Sequence, residues 1–170
     1  HKEYRRQRQM CIRDSISIAE LSEHAQIARR TFYRYYHSKE EVLTNYIDRL
    51  IQGYIIELQT EKLVDFEGLV NLFFQYWSQY TEPLKILQDA RLQALVLQRW
   101  YDKLPAVYTS IKAPWHITNS TQRQITYDSR FIGGGLYNIF DEWLKGDYKA
   151  MPVNELVTTA LNTIKRMKNN

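Results

Sequence analysis

Apolar side chains recur at three- and four-residue intervals along most of the chain, and no stretch alternates apolar and polar with the period of two expected of a strand. Val42, Leu43, Tyr46, Ile47, Leu50, Tyr54 and Leu58 predict a helix from Lys39 to about Glu61. Leu69, Leu72, Phe73, Tyr76, Trp77 and Tyr80 predict another over 66–80, opened by Asp65 as its cap. A third follows Thr81 to about Leu92, with Pro83 tolerated in its first turn. A fourth runs from Ala94 to about Ile111, kinked or interrupted at Pro105. Residues 112–118, with Pro114, read as a loop. Ile125, Phe131, Ile132, Leu136, Ile139, Phe140, Trp143 and Leu144 lay a broad apolar face along 121–145, ended by Gly146-Asp147. Val153, Leu156, Val157, Ala160, Leu161 and Ile164 repeat the pattern after Pro152. The chain is expected to be all-α.

The N-terminal part has a different texture. Ser17 and Glu20 form a capping box, and Ile18, Leu21 and Ala25 share one face of a short helix. After a turn at Ala25-Gln26-Ile27, a second helix spans Ala28 to about Tyr36, with Ile27 and Phe32 as apolar anchors. Its other positions include Arg29, Arg30, Thr31, Tyr33, Arg34 and Tyr35. Ser38 and Glu41 make a second capping box, so a new helix begins at Lys39. Two helices joined by a tight turn, the second one basic, is the geometry that sets a helix in the DNA major groove. Charge agrees with this: residues 1–39 carry nine Lys/Arg against four acids, whereas the remaining 131 residues sum to −1. Such a patch supplies the affinity for phosphate through counterion release.

Ile18-Ala19-Glu20-Leu21, then Ala25 through Tyr36, then Ser38-Lys39-Glu40-Glu41-Val42-Leu43 resemble the DNA-binding region of TetR-family transcriptional regulators. The resemblance implies an N-terminal helix-turn-helix domain at 1–45, its motif at about 17–36, on a helical ligand-sensing and dimerisation domain at 46–170. It implies a dimeric repressor of double-stranded operator DNA, released by a small-molecule effector. The alternative is a co-regulator or interaction protein on the same fold without specific DNA binding. Carried over residue by residue, Arg29 and Arg30 would meet base edges, where guanidinium matches guanine O6/N7. Ser17, Thr31, Tyr33, Tyr35 and Lys39 would hold phosphates, and Phe32 and Tyr36 would pack inside the head. Two positions depart from the family: Gln26 stands where glycine is usual in the turn, and Ala28 where a capping Ser or Asn is frequent. The first implies a strained left-handed residue, the second a lost capping oxygen. The last two helices resemble the family's paired dimer helices, which would set Ile132, Leu136, Ile139, Trp143, Leu156, Ala160 and Leu161 in a homodimer interface; the same faces could instead be intramolecular core.

Residues 1–15 fit this pattern poorly, offering only Tyr4, Met10, Cys11 and Ile12 among many cations. The chain starts at His, so the expectation is a piece of a longer reading, with 9–15 resembling a junction scar; the alternative is a genuine first helix whose Arg residues meet phosphates.

Large aromatics on several helices raise the expectation of an effector pocket lined by Tyr54, Phe73, Trp77, Tyr80, Trp100, Tyr127 and Phe131, suited to a planar apolar or a cationic molecule; each is equally well an ordinary core residue. Catalysis finds little support. His24, His37 and His116 are isolated, and adjacent Asp141-Glu142 diverge on a helix, so no catalytic residues are expected. The single Cys11 excludes an internal disulfide and a thiolate metal site, and no cofactor motif is present. Gly133-Gly134-Gly135 lacks the strand and the Gly-Lys-Ser/Thr ending of a phosphate loop, and close helix approach explains it better. With no long apolar run and no signal peptide in view, the expected location is the cytoplasm, without membrane partners.

Overall fold

The computed structural model describes residues 28–63, 65–113, 119–146 and 148–168, together with Ser17, Ala19, Ser22, Glu23, Ala25, Gln26 and His116. Seven helices are defined among them: α1 (Arg29–Tyr35), α2 (Lys39–Thr60), α3 (Phe66–Ser78), α4 (Thr81–Asp89), α5 (Gln93–Thr109), α6 (Gln122–Gly146) and α7 (Val153–Lys168). The described residues contain no strand, as the periodicity predicts. Residues 1–15, most of the first short helix, Ile27, His24, Pro114 and Asp147 lie outside the described residues.

Local chemistry explains where the helices begin. Ser38 Oγ accepts from the Glu41 backbone N–H at 3.1 Å, and the Glu41 carboxylate accepts from the His37 N–H, one residue further out than an ideal capping box. Asp65 Oδ1 accepts from Gly68 N–H at 2.8 Å and opens α3. Two expectations about ends change. α4 stops at Asp89 rather than near Leu92, because Arg91 turns left-handed (φ 59°) and Leu92 N–H reaches back to Leu87 O. Pro105 does not interrupt α5: Leu104 and Val107 beside it are both buried, and their burial outweighs the one backbone bond that proline removes.

The body is one layer of helices wrapped on a core rich in rings. α5 packs along α6, α3 along α7, and α2 against both α3 and α5. Tyr54 is only 2 % exposed and sits with its ring centre 5.3–5.9 Å from those of Phe73, Tyr76, Trp77 and Trp100. Burial pushes the Tyr54 phenol far above its ordinary range, so it stays neutral at any physiological pH. Two polar contacts fix α2 on its neighbours. Tyr76 OH donates to the carbonyl of Leu50 at 2.6 Å, and Arg99 on α5 forks onto Asp48, with Nε to Oδ1 at 2.9 Å. The carboxylate raises the Arg99 pKa further.

The triple glycine is a packing device with unequal members. A side chain on Gly133 would run into Leu104, and one on Gly134 would stand 3.2 Å from Tyr101 OH, whereas Gly135 faces open space. The close approach lets Trp100 Nε1 donate to Gly133 O at 3.0 Å. Gly133→Ala should therefore destabilise the fold by about 1–3 kcal/mol through overpacking. Gly135→Ala should gain up to about 1 kcal/mol from helix propensity. Urea unfolding of the two variants checks this, and shifts of the same sign would refute the assignment.

Candidate nucleic-acid interface

α1 is short, and its placement depends on one ring. Phe32 is 2 % exposed and packs edge-on against Tyr33 (5.6 Å) and tilted against Tyr36 (5.7 Å). Tyr36 is half-buried, so both residues expected inside the head face inward at least in part. With Phe32 inward, helical periodicity turns Arg30 and Arg34 to the opposite side and Tyr33 to the flank between; Arg29, three residues before Phe32, shares its side of the helix but is exposed at the first turn, as are the other three. Tyr35 is exposed on a flank. Thr31 and Lys39 are half-buried, and Ser17 is exposed ahead of the motif.

Cations and phenols on this surface hold one another. The Arg29 guanidinium lies 5.8 Å from the Tyr33 ring centre and that of Arg34 lies 4.7 Å from Tyr35. Arg34 also donates to Tyr35 OH at 3.0 Å. Such stacking orients a guanidinium without neutralising it, leaving donors for an anion. Arg34 was absent from the expected contacts, although its spacing from Arg30, four residues on, is a legible sign that both share a face.

Both departures in the turn have structural counterparts. Gln26 has φ 53°, the left-handed conformation that glycine adopts freely. Ala28 is extended (φ −66°, ψ 140°) at the start of α1 and supplies no side-chain cap.

The body separates the expected pocket residues. Phe73, Trp77 and Trp100 line a cavity of about 40 Å³ where α2 to α6 converge, and Tyr54, Phe73 and Trp100 line a second of similar size. Tyr80 lines neither and packs on Tyr76 at 5.3 Å. Tyr127 and Phe131 are not pocket residues at all: they are 65 % and 83 % exposed on the outer face of α6.

The expected dimer residues also divide. Leu136, Trp143, Leu156 and Ala160 are buried within the single chain, consumed by α3, α5 and their neighbours, so they cannot form the surface of an interface. Ile132, Ile139 and Leu161 are half-buried against the same core. Among the described residues no group of three or more His, Cys, Asp or Glu is placed to hold a metal, and no helix is long and apolar enough to cross a membrane.

Residues 14–45 match the sequence profile of bacterial regulatory proteins of the tetR family. No curated protein sequence matches the chain. The match covers the turn and α1 and ends within α2.

The left-handed turn yields a direct test. Gln26→Gly should stabilise the head by about 1 kcal/mol by relieving a conformation that L side chains resist. Thermal unfolding followed by circular dichroism would show it, and a loss of stability would mean that the Gln26 side chain has a compensating role.

Proposed function

We propose, from the premise that this chain is a DNA-binding transcriptional regulator of the tetR family, that it acts as a homodimeric repressor released by a small effector. The observation that carries the reading is the exposed basic surface of α1, where Arg30 and Arg34 stand opposite buried Phe32 and Arg29 and Tyr33 are exposed on its flanks. In this reading Arg29 and Arg30 reach base edges. Ser17, Thr31, Tyr33, Arg34, Tyr35 and Lys39 hold phosphates and set the register. The head at 1–45 and the body at 46–170 share α2, which runs unbroken across that division.

A second copy is needed because two heads read successive major grooves about 34–36 Å apart. The buried residues of α6 and α7 are unsuitable for that contact, and the exposed side of α6 suits it better. Tyr127 and Phe131 stand four residues apart on that side, with Asn138 one further turn beyond Gly135. Water-facing rings of this size in a row favour a protein partner over solvent. In this reading release runs through α2, which begins inside the head at Lys39 and lines the central cavity with Ile47, Leu50 and Ile51. A molecule that binds one arrangement of α2 more tightly shifts the population of heads that fit the operator, and only by that difference in affinity.

Selection of bound sequences from random duplex DNA tests the reading and supplies the operator; no enrichment would favour the interaction-protein alternative. On the selected operator, Arg30→Ala should cost about 1–3 kcal/mol and relax preference at one base pair, whereas Tyr33→Phe should weaken all sequences evenly. A uniform loss for Arg30→Ala would move Arg30 to the phosphate contacts. Light scattering should give twice the 20.4 kDa chain mass for the protein and the single mass for Phe131→Glu. A monomer without the substitution would remove the dimer.

A further inference from the structure

The half-buried cations of the body differ in what they meet. Arg99 forks onto Asp48, and Lys85 pairs with Asp89 at 2.8 Å. Lys103 is half-buried too, yet among the described residues its ammonium has neither an ion pair nor a hydrogen bond. Arg49, one residue past Asp48 on α2, is exposed and equally without a carboxylate among the described residues. Partial burial of a charge costs free energy unless something compensates it. Both cations line one open groove of about 410 Å³ at the junction of head and body.

The rest of the wall adds neutral polar groups. Asn45, Arg49 and Gln52 follow one another at four- and three-residue spacing and so share a face of α2. Tyr36 of the head joins the wall, and Lys103 stands about one turn beyond Arg99 on α5. Among the described residues Asp48 is the one carboxylate in the lining, and Arg99 already takes both of its oxygens. The groove also lies away from the exposed cations of α1. Tyr36 packs on buried Phe32 at 5.7 Å, whereas Arg30 and Arg34 stand on the opposite side of that helix.

We propose that this groove is a binding site for a small phosphorylated anion, held by Arg49 of α2 and Lys103 of α5. A phosphate group carries nearly two charges and strong acceptor oxygens, which suits a planar guanidinium, an ammonium and carboxamide N–H donors in one wall. A carboxylate is a poorer match, because one exposed charge pair is worth little in an open, screened site. A cation would meet two like charges and a carboxylate already paired. An apolar molecule would find Ile51 and Ile55 amid polar groups and water. Duplex phosphates are set aside by the side of α1 on which Tyr36 lies. An occupant would touch head, α2 and α5 together, in a site apart from the two apolar cavities, whose linings contain neither Arg49 nor Lys103.

Calorimetric titration of the full chain with pyrophosphate at low ionic strength tests this, with succinate as the dicarboxylate control. Pyrophosphate should bind, and more tightly than succinate. Arg49→Gln and Lys103→Gln should each weaken pyrophosphate by about tenfold, the value of one charge-assisted hydrogen bond. Lys103→Arg, which keeps the charge, should stay within about threefold. Arg30→Gln, on the far side of α1, should leave the affinity within about twofold. The site is overturned if pyrophosphate does not bind or succinate binds as tightly. It is equally overturned if Arg49→Gln and Lys103→Gln keep full affinity, or if Arg30→Gln loses more than they do. Arg49 is exposed, so Arg49→Gln decides even where Lys103→Gln folds poorly. The titration uses no DNA, so its outcome is independent of the regulator reading.

Discussion

One face of α2 has to be buried, and most of the architecture answers to that requirement. Ile47, Leu50, Ile51, Tyr54 and Leu58 are all buried, and Tyr54 is surrounded by rings from α3 and α5. The helix spans 22 residues, about 33 Å at the usual rise, so it cannot end inside the body. Its first turn projects to where Ser38 caps it, directly after α1. The exposed basic surface of α1 is thus held by an element whose stability is supplied elsewhere. A seven-residue helix such as α1, anchored on Phe32, could not persist alone.

Much of this was legible along the chain. Element type followed from periodicity, and the caps at Ser38 and Asp65 are local chemistry between residues three apart. The outward face of α1 was legible for the same reason, since a helix-turn-helix is specified by short-range pattern. Sidedness within α6 was misread although the information was there. Phe131 and Phe140 are nine residues apart, two and a half helical turns, and so lie on opposite sides. Phe140 is 5 % exposed and Phe131 83 %. A broad apolar face drawn through both had to be wrong about one.

Other features need the tertiary structure. Pro105 continues a helix because of what its neighbours bury, and Arg91 ends one through a backbone conformation that its side chain does not announce. The unequal glycines of α6 are distinguished only by what stands opposite each, Leu104, Tyr101 or nothing. The same holds for Trp77: nothing in the sequence separates it from Trp100 or Trp143, whose indole N–H groups donate to Gly133 O and Met151 O, while that of Trp77 has no acceptor among the described residues.

The bond from Tyr76 OH to Leu50 O has a mechanical corollary. It exists because Gly53 has no side chain: a Cβ there would clash with the Tyr76 phenol oxygen. It pins α2 near its midpoint, with a second pin from Arg99 of α5 to Asp48, about half a turn nearer the head. A rod fastened at its centre resists sliding but can seesaw. From Leu50 to Lys39 the lever arm is about 16 Å, so a tilt of about five degrees would displace the head end by about 1.4 Å and the far end by nearly as much in the opposite sense. The far end carries Leu58, in the wall of the second cavity. Ile47, Leu50 and Ile51, which line the central cavity, lie beside the fulcrum, so such a tilt would reshape the second cavity at Leu58 far more than the central one.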